Sequence, residues 1–344
     1  MRPVLMLAAL AALSFAASGA EASGPLCPKP LLPLPGDSDS LARTISIGGS
    51  AAGTSWGGGT TRGVVWGPLG IPRRLAPLSG DHASEALALN ASGQVAGTSK
   101  GAVTTAVRWD GRSGPRRLRP LPGDLESFAF GIDNAGRVVG FSRGRGEIGT
   151  RDGGYRHRPV LWDADGKPRA LPLPSGYREG NAQAISQSGV IVGFVFGPAG
   201  TDDRAVVWDA AGRPSLRPLL GSSRTSESYA VNLAGLAVGD SGLGDTAGTA
   251  WAASVGELVP PGGVDGVETY GVNARGEAAG FGWRSGRSVA LRWTAGGKGY
   301  VLRPLAGDSE AQAWGINRDG TIAGVSLRDG RARAVLWSAA ACNG

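Results

Sequence analysis

The chain has 344 residues, a formal net charge of +7, two histidines and two cysteines. So few of these ligands exclude a His/Cys metal cluster and an HExxH helix, and no metal, cofactor or catalytic residue is assigned. The basic charge attracts polyanions non-specifically or simply solubilises the surface, and no motif for specific nucleic-acid binding accompanies it.

Residues 1–22 read as a secretory signal peptide: Arg2, an apolar run from Val4 to Ala17, and the cleavage pattern Ala20-Glu-Ala22. The mature chain is therefore expected to begin near Ser23 and to be secreted or periplasmic. Gly24-Pro-Leu26 before Cys27 is not a lipobox. No later segment approaches the ~20 apolar residues of a membrane span. Next comes Pro30-Leu-Leu-Pro-Leu-Pro-Gly-Asp37, which matches Leu118-Arg-Pro-Leu-Pro-Gly-Asp124 and looks like a fourth strand with no blade before it.

From there one unit recurs, marked by Trp66, Trp109, Trp162, Trp208, Trp251, Trp293 and Trp337 at gaps of 43, 53, 46, 43, 42 and 44 residues. Four short strands at that period predict an all-β, seven-bladed β-propeller with four antiparallel strands per blade. The repeats fall at about 37–80, 81–124, 125–177, 178–222, 223–264, 265–308 and 309–344, the last completed by 28–36; together, 23–344 is one domain.

The third copy shows the pattern best. Ser127-Phe-Ala-Phe-Gly-Ile132 alternates as a half-buried strand, Asp133-Asn-Ala-Gly136 turns, and Val138-Val-Gly-Phe-Ser142 returns. Arg158-Pro-Val-Leu-Trp162 then forms a third strand, before a turn and a last strand near Leu171. The first turn recurs from Asn90, Ser186, Asn232, Asn273 and Asn317. The side chain at its head bonds the local backbone, and a glycine closes it at positive φ. Pro33, Pro77, Pro120, Pro172, Pro218, Pro260 and Pro304 are expected within the fourth strands, marking these as outermost, because proline avoids central strands. The Ala- and Gly-rich first strands would line the channel. Since the last copy stops after Trp337, the N-terminal strand should complete its blade. Cys27 and Cys342 map onto the one hairpin turn that the chain ends leave open, so a disulfide is expected there.

Candidate binding residues fall on the face shared by the fourth-to-first and second-to-third loops. One acid leads into each first strand: Asp39, Glu85, Glu126, Glu179, Glu227, Glu268 and Glu310. They would make an acidic collar for a cation, or simply solvated strand starts; their spacing resembles no compact metal loop. Trp56, Trp283 and Phe196 share a position three residues past a second-strand glycine, Gly53, Gly280 and Gly193 respectively, where a ring can stack on a sugar or wedge between blades. The longest insertion, 143–158, carries Tyr155, His157 and Arg158. Such a basic loop would bind a carboxylated sugar, serve a lyase, or have no role. There is no phosphate-binding loop or serine nucleophile elbow.

Gly315-Ile-Asn317 and Gly131-Ile-Asp133, each followed by spaced glycines and a later strand ending in Trp, resemble the HAF-repeat family of extracellular repeat proteins. Its eponymous His-Ala-Phe is replaced here by Arg158-Pro-Val160, Arg204-Ala-Val206 and Arg333-Ala-Val335. The resemblance implies export and a repeat fold, and brings no catalytic residues. The leading expectation is a monomeric binding or scaffolding module for a cell-envelope glycan, such as an acidic polysaccharide, or for an envelope protein. The alternatives are a polysaccharide lyase or hydrolase and a purely structural surface protein.

Overall fold

A computed structural model describes residues 25–145, 154–197, 202–243, 245–252 and 254–342; the expected leader lies outside them. The described residues form seven four-stranded antiparallel sheets, the blades of a propeller, whose first strands surround a central channel. Blade 1 spans 39–75, blade 2 83–118, blade 3 126–170, blade 4 180–216, blade 5 225–257 and blade 6 265–301. Blade 7 takes 310–338 and borrows Cys27–Pro30 as its fourth strand. In the closing ladder Cys27 faces Ser338 and Pro30 faces Val335, and a disulfide joins Cys27 to Cys342 across 315 residues. No helix among the described residues is long and apolar enough to cross a membrane.

Each repeat tryptophan is almost fully buried, and each also performs a task that the spacing alone does not reveal. Its indole N–H donates, at 2.6–3.0 Å, to a carbonyl in the segment linking the preceding blade to its own: Leu32, Ala76, Arg119, Pro172, Pro218, Val259 and Arg303 in turn. The ring thus fills the space between blades and its polar edge is satisfied, as a buried indole requires.

The prolines correct one expectation. The fourth strands end at Pro30, Leu75, Leu118, Ala170, Leu216, Glu257 and Val301, so Pro33, Pro77, Pro120, Pro172, Pro218, Pro260 and Pro304 lie just past them. They stiffen the linking segment rather than the ladder. A residue without an N–H costs nothing where the ladder has already ended.

Two further features close the ring from inside. The turn asparagines reach sideways: the Asn90 amide donates to the Asp133 carbonyl at 2.8 Å, Asn232 to Asn273 at 2.9 Å, Asn273 to Asn317 at 3.1 Å and Asn317 to Ser46 at 3.2 Å. Every first strand also carries a β-bulge, at Arg43, Leu87, Phe130, Gln183, Tyr229, Tyr270 and Trp314. The bulge pushes a carbonyl toward the second strand, where a Cβ on Gly53, Gly97, Gly140, Gly193, Gly239, Gly280 or Gly324 would collide with it. That crowding explains why a glycine sits at this place in all seven copies.

Candidate functional site

The bulges set the chemistry of the channel. An extra residue re-aims the side chain it carries, and all seven bulged residues line one cavity of about 460 Å³ in the channel. Four of them, Phe130, Tyr229, Tyr270 and Trp314, are aromatic. They belong to a continuous arc of ring contacts that spans blades 3 to 7.

In blade 3, Phe128 stacks on Phe141 at 4.4 Å, and His157 stacks on the same ring at 4.3 Å. His157 meets Phe196 edge-on at 5.6 Å, Phe196 meets Phe194, and Phe194 meets Tyr229 at 6.0 Å. Tyr229 stacks on Tyr270 at 4.7 Å, which contacts Trp314 at 4.4 Å and Phe281 at 5.6 Å. Trp283 lies edge-on to Phe281 at 5.3 Å, and the guanidinium of Arg43 covers Trp314 at 4.3 Å. Burial draws that guanidinium below its ordinary pKa, against the pull of Tyr270 and Glu85.

The seven acids of the expected collar divide into two sets. Asp39, Glu126, Glu179 and Glu310 accept the backbone N–H of Ala332, Thr104, His157 and Ser288, each on the third strand of the preceding blade, at 2.7–3.1 Å. These four tie blades together. Glu85, Glu227 and Glu268 lie two residues before their bulges. Glu85 lines the cavity and pairs with Lys100 at 2.7 Å. The Tyr229 hydroxyl donates to Glu227 at 2.5 Å, and the Tyr270 hydroxyl donates to Glu268 at 2.6 Å.

Opposite Glu227, on the second strand of blade 5, stands Asp240, at the register position that the cavity-lining Thr98 holds in blade 2. Asp240 is only 8% exposed. Burial first, then Glu227 and Glu268, push its carboxyl up to about 8. The same burial raises both tyrosines, together with Asp240 and Glu227 at Tyr229 and with the bond to Glu268 at Tyr270.

Two expectations about blade 3 change. Tyr155, His157 and Arg158 belong to its third strand, Tyr155–Trp162, which pairs with Val138–Arg145; residues 146–153 of the insertion lie outside the described residues. Arg158 is a structural tie, bound to the fully buried Asp124 at 2.8 Å, and Asp124 in turn accepts from Ser142 at 2.6 Å. Asp37–Ser55, Asp81–Ser99 and Asp308–Ser326 repeat that latch at 2.6–2.7 Å. Tyr155 packs under the guanidinium of Arg143 at 4.9 Å. Of the expected stacking residues, Phe196 and Trp283 join the arc, whereas Trp56 stands opposite Asp39 on blade 1.

Sequence reasoning missed Tyr229, Tyr270, Trp314, Phe130 and Asp240. A signal was present for four of these: a large residue directly before the small one that opens Gly-Ile-Asn or its equivalent, as in Phe130-Gly131, Tyr229-Ala230, Tyr270-Gly271 and Trp314-Gly315. Asp240 had none. Among the described residues no group of three or more His, Cys, Asp or Glu is placed to hold a metal ion.

No family model and no curated protein matches the chain. Among solved structures it is similar to puromycin hydrolase, with TM-score 0.64 and 14% identity over 89% of this chain; it spans 53% of that protein's length. It is similar to a streptogramin B lyase, with TM-score 0.58 and 13% identity over 91% of this chain and 98% of the other. An oligogalacturonate lyase in complex with manganese gives TM-score 0.60 and 11% identity over 92% of this chain and 96% of the other. At these identities the likeness is one of fold.

Proposed function

We propose that the protein is an exported binding module that holds a cell-envelope glycan by its rings in the central channel. The aromatic side chains on the cavity wall, Phe128, Phe130, Tyr229, Tyr270 and Trp314, backed by further ring contacts, carry this reading. Sugar rings present apolar C–H faces, and a preformed concave site lined by aromatics with a few polar groups is how such faces are held. Phe196 and Trp283 extend the arc beyond the bulged ring, so that a chain rather than a single sugar fits it. The end-to-end disulfide and the leader pattern support export, and the resemblance of the repeats to the HAF-repeat family agrees with an extracellular role.

Intrinsic tryptophan fluorescence during titration with neutral, anionic and aminated oligosaccharides tests the reading. Saturable quenching is expected, with affinity falling about tenfold or more in Trp314→Ala, the cost of one lost stacking partner. Unchanged affinity in Trp314→Ala and Tyr270→Ala would remove the channel as the site.

A second reading, cleavage of the bound glycan, draws on Asp240. A buried carboxyl still protonated near neutral pH is the state a general acid needs. Product analysis on the same titration samples separates the two: new reducing or unsaturated ends support cleavage, and intact oligosaccharide supports binding alone.

A further inference from the structure

Three carboxyl groups of blades 5 and 6 gather beside Tyr229 and Tyr270, which line the cavity, and one of them has no partner among the described residues. Glu227 and Glu268 each accept a tyrosine hydroxyl, whereas Asp240, nine-tenths buried between them, takes no hydrogen bond or ion pair among the described residues. A buried carboxyl without a partner is costly, and Asp240 stands close enough to the cavity-lining Tyr229 and Tyr270 to raise the pKa of both hydroxyl groups. Directly across the sheet from it lies Gly248, a position packed against Thr269 and Val267 of blade 6.

The channel is polarised as well. Its positive groups, Arg43 and Lys100, stand on blades 1 and 2, one over Trp314 and the other paired with Glu85. Among the described residues no such cation answers Asp240. The aromatic faces of Tyr229 and Tyr270 stack beside the carboxyl groups, and a ring face attracts an ammonium by its quadrupole.

We propose that this wall binds a protonated primary amine carried on the ring-bearing ligand, so that the glycan held in the channel is an aminated one. The inference rests on the channel reading above and adds the charge of the ligand. Asp240, Glu227 and Glu268 surround the ammonium, and Tyr229 and Tyr270 form its apolar side. The titratable groups facing Asp240 are Glu227 on the adjacent strand and Glu268, Tyr229 and Tyr270 on the inner strands. An ammonium placed among them favours the ionised form of Asp240, so binding near neutral pH should release a proton.

The test is calorimetric titration of the oxidised mature protein at pH 6 with four probes. These are glucosamine oligomers, N-acetylglucosamine oligomers, galacturonate oligomers and 1,4-diaminobutane. The glucosamine oligomer is expected to bind about tenfold tighter than its acetylated counterpart, as a charge-assisted contact implies. The heat should vary with the ionisation enthalpy of the buffer, which reports the released proton. Asp240→Asn and Glu268→Gln should bring the two affinities together, by weakening the glucosamine oligomer more than the acetylated one. Equal or tighter binding of the acetylated or galacturonate oligomer to the wild type overturns the ammonium site and keeps the saccharide reading. Diaminobutane binding as tightly as the glucosamine oligomer keeps the ammonium site and overturns the saccharide reading. Absence of binding by all four overturns both.

Discussion

Replacing Asp240 by asparagine should stabilise the protein at alkaline pH, although it alters a buried polar residue of the channel. The carboxyl moves from an ordinary value of 3.8 in the unfolded chain to about 8 in the fold, chiefly through burial and then through Glu227 and Glu268. Between those values the folded state binds the proton and the unfolded state does not. Stability carried by protonated Asp240 is therefore complete below about pH 4 and is lost as pH rises through about 8. At 1.36 kcal/mol per pH unit the full loss has a ceiling of about 6 kcal/mol.

Asparagine keeps the shape and cannot ionise, so the variant retains the low-pH stability throughout. Thermal unfolding of both proteins between pH 4.5 and 8.5 measures the difference, and subtraction cancels the titration of every other group. At about 2.1 cal/mol/K of unfolding entropy per residue, a chain of this size shifts its midpoint by about 1.5 °C per kcal/mol. The variant should match the wild type near pH 4.5 and exceed it by several degrees at pH 8.5. A constant offset at every pH, or a gap that widens toward acid, would refute the reasoning.

Other parts of the fold yield simpler tests. Cys342→Ser opens the ring at its only covalent latch among the described residues and should cost at most about 5 kcal/mol, read as the loss of any reductant effect on denaturant unfolding. Trp162→Ala empties the space between blades and frees the Arg119 carbonyl, so a loss of about 3–5 kcal/mol is expected in the same assay. Gly140→Ala drives a methyl against the Phe128 carbonyl at the bulge, and should cost more than about 1 kcal/mol despite the higher strand propensity of alanine. Arg158→Ala leaves the buried Asp124 with Ser142 and the more distant Arg156, so its denaturation midpoint should fall in the same assay.

Much of the architecture was legible because it repeats at short range. The tryptophan period, the turn heads and the glycine-closed hairpins each follow from a few neighbouring residues, and the open turn at both chain ends located the disulfide. The prolines were misplaced by two or three residues because sequence shows which strand is outermost but not where its ladder stops. The insertion of blade 3 was read as loop from its length and charge, yet Tyr155, His157 and Arg158 extend a hairpin. What sequence could not show was the bulge. A single added residue inverts the alternation of a strand, and nothing in Ser127-Phe-Ala-Phe-Gly-Ile132 marks Phe130 as the added one. Equally hidden was the split among the seven acids. Four of them answer backbone groups of the preceding blade, partners that only ring closure brings near.

The channel is where the seven copies stop resembling one another. Tryptophan, turn head and second-strand glycine each meet the same neighbour in every blade, so the same residue, or one of its close kind, suits every copy. The bulged position meets no such neighbour, since its side chain leaves the sheet for the cavity. It holds Arg43, Leu87, Phe130, Gln183, Tyr229, Tyr270 and Trp314. If packing alone governed that ring, seven equivalent positions would favour one aliphatic residue of suitable volume. Instead aromatics gather on blades 3, 5, 6 and 7, cations on blades 1 and 2 with Glu85 beside Lys100, and the carboxyl groups without a cation on blades 5 and 6. A scaffold with sevenfold pseudo-symmetry gains nothing in stability from such a gradient, and leaving Asp240 buried without a partner costs it stability. The proposed aminated saccharide, with ring faces along one side and a positive charge at one end, would match that asymmetry.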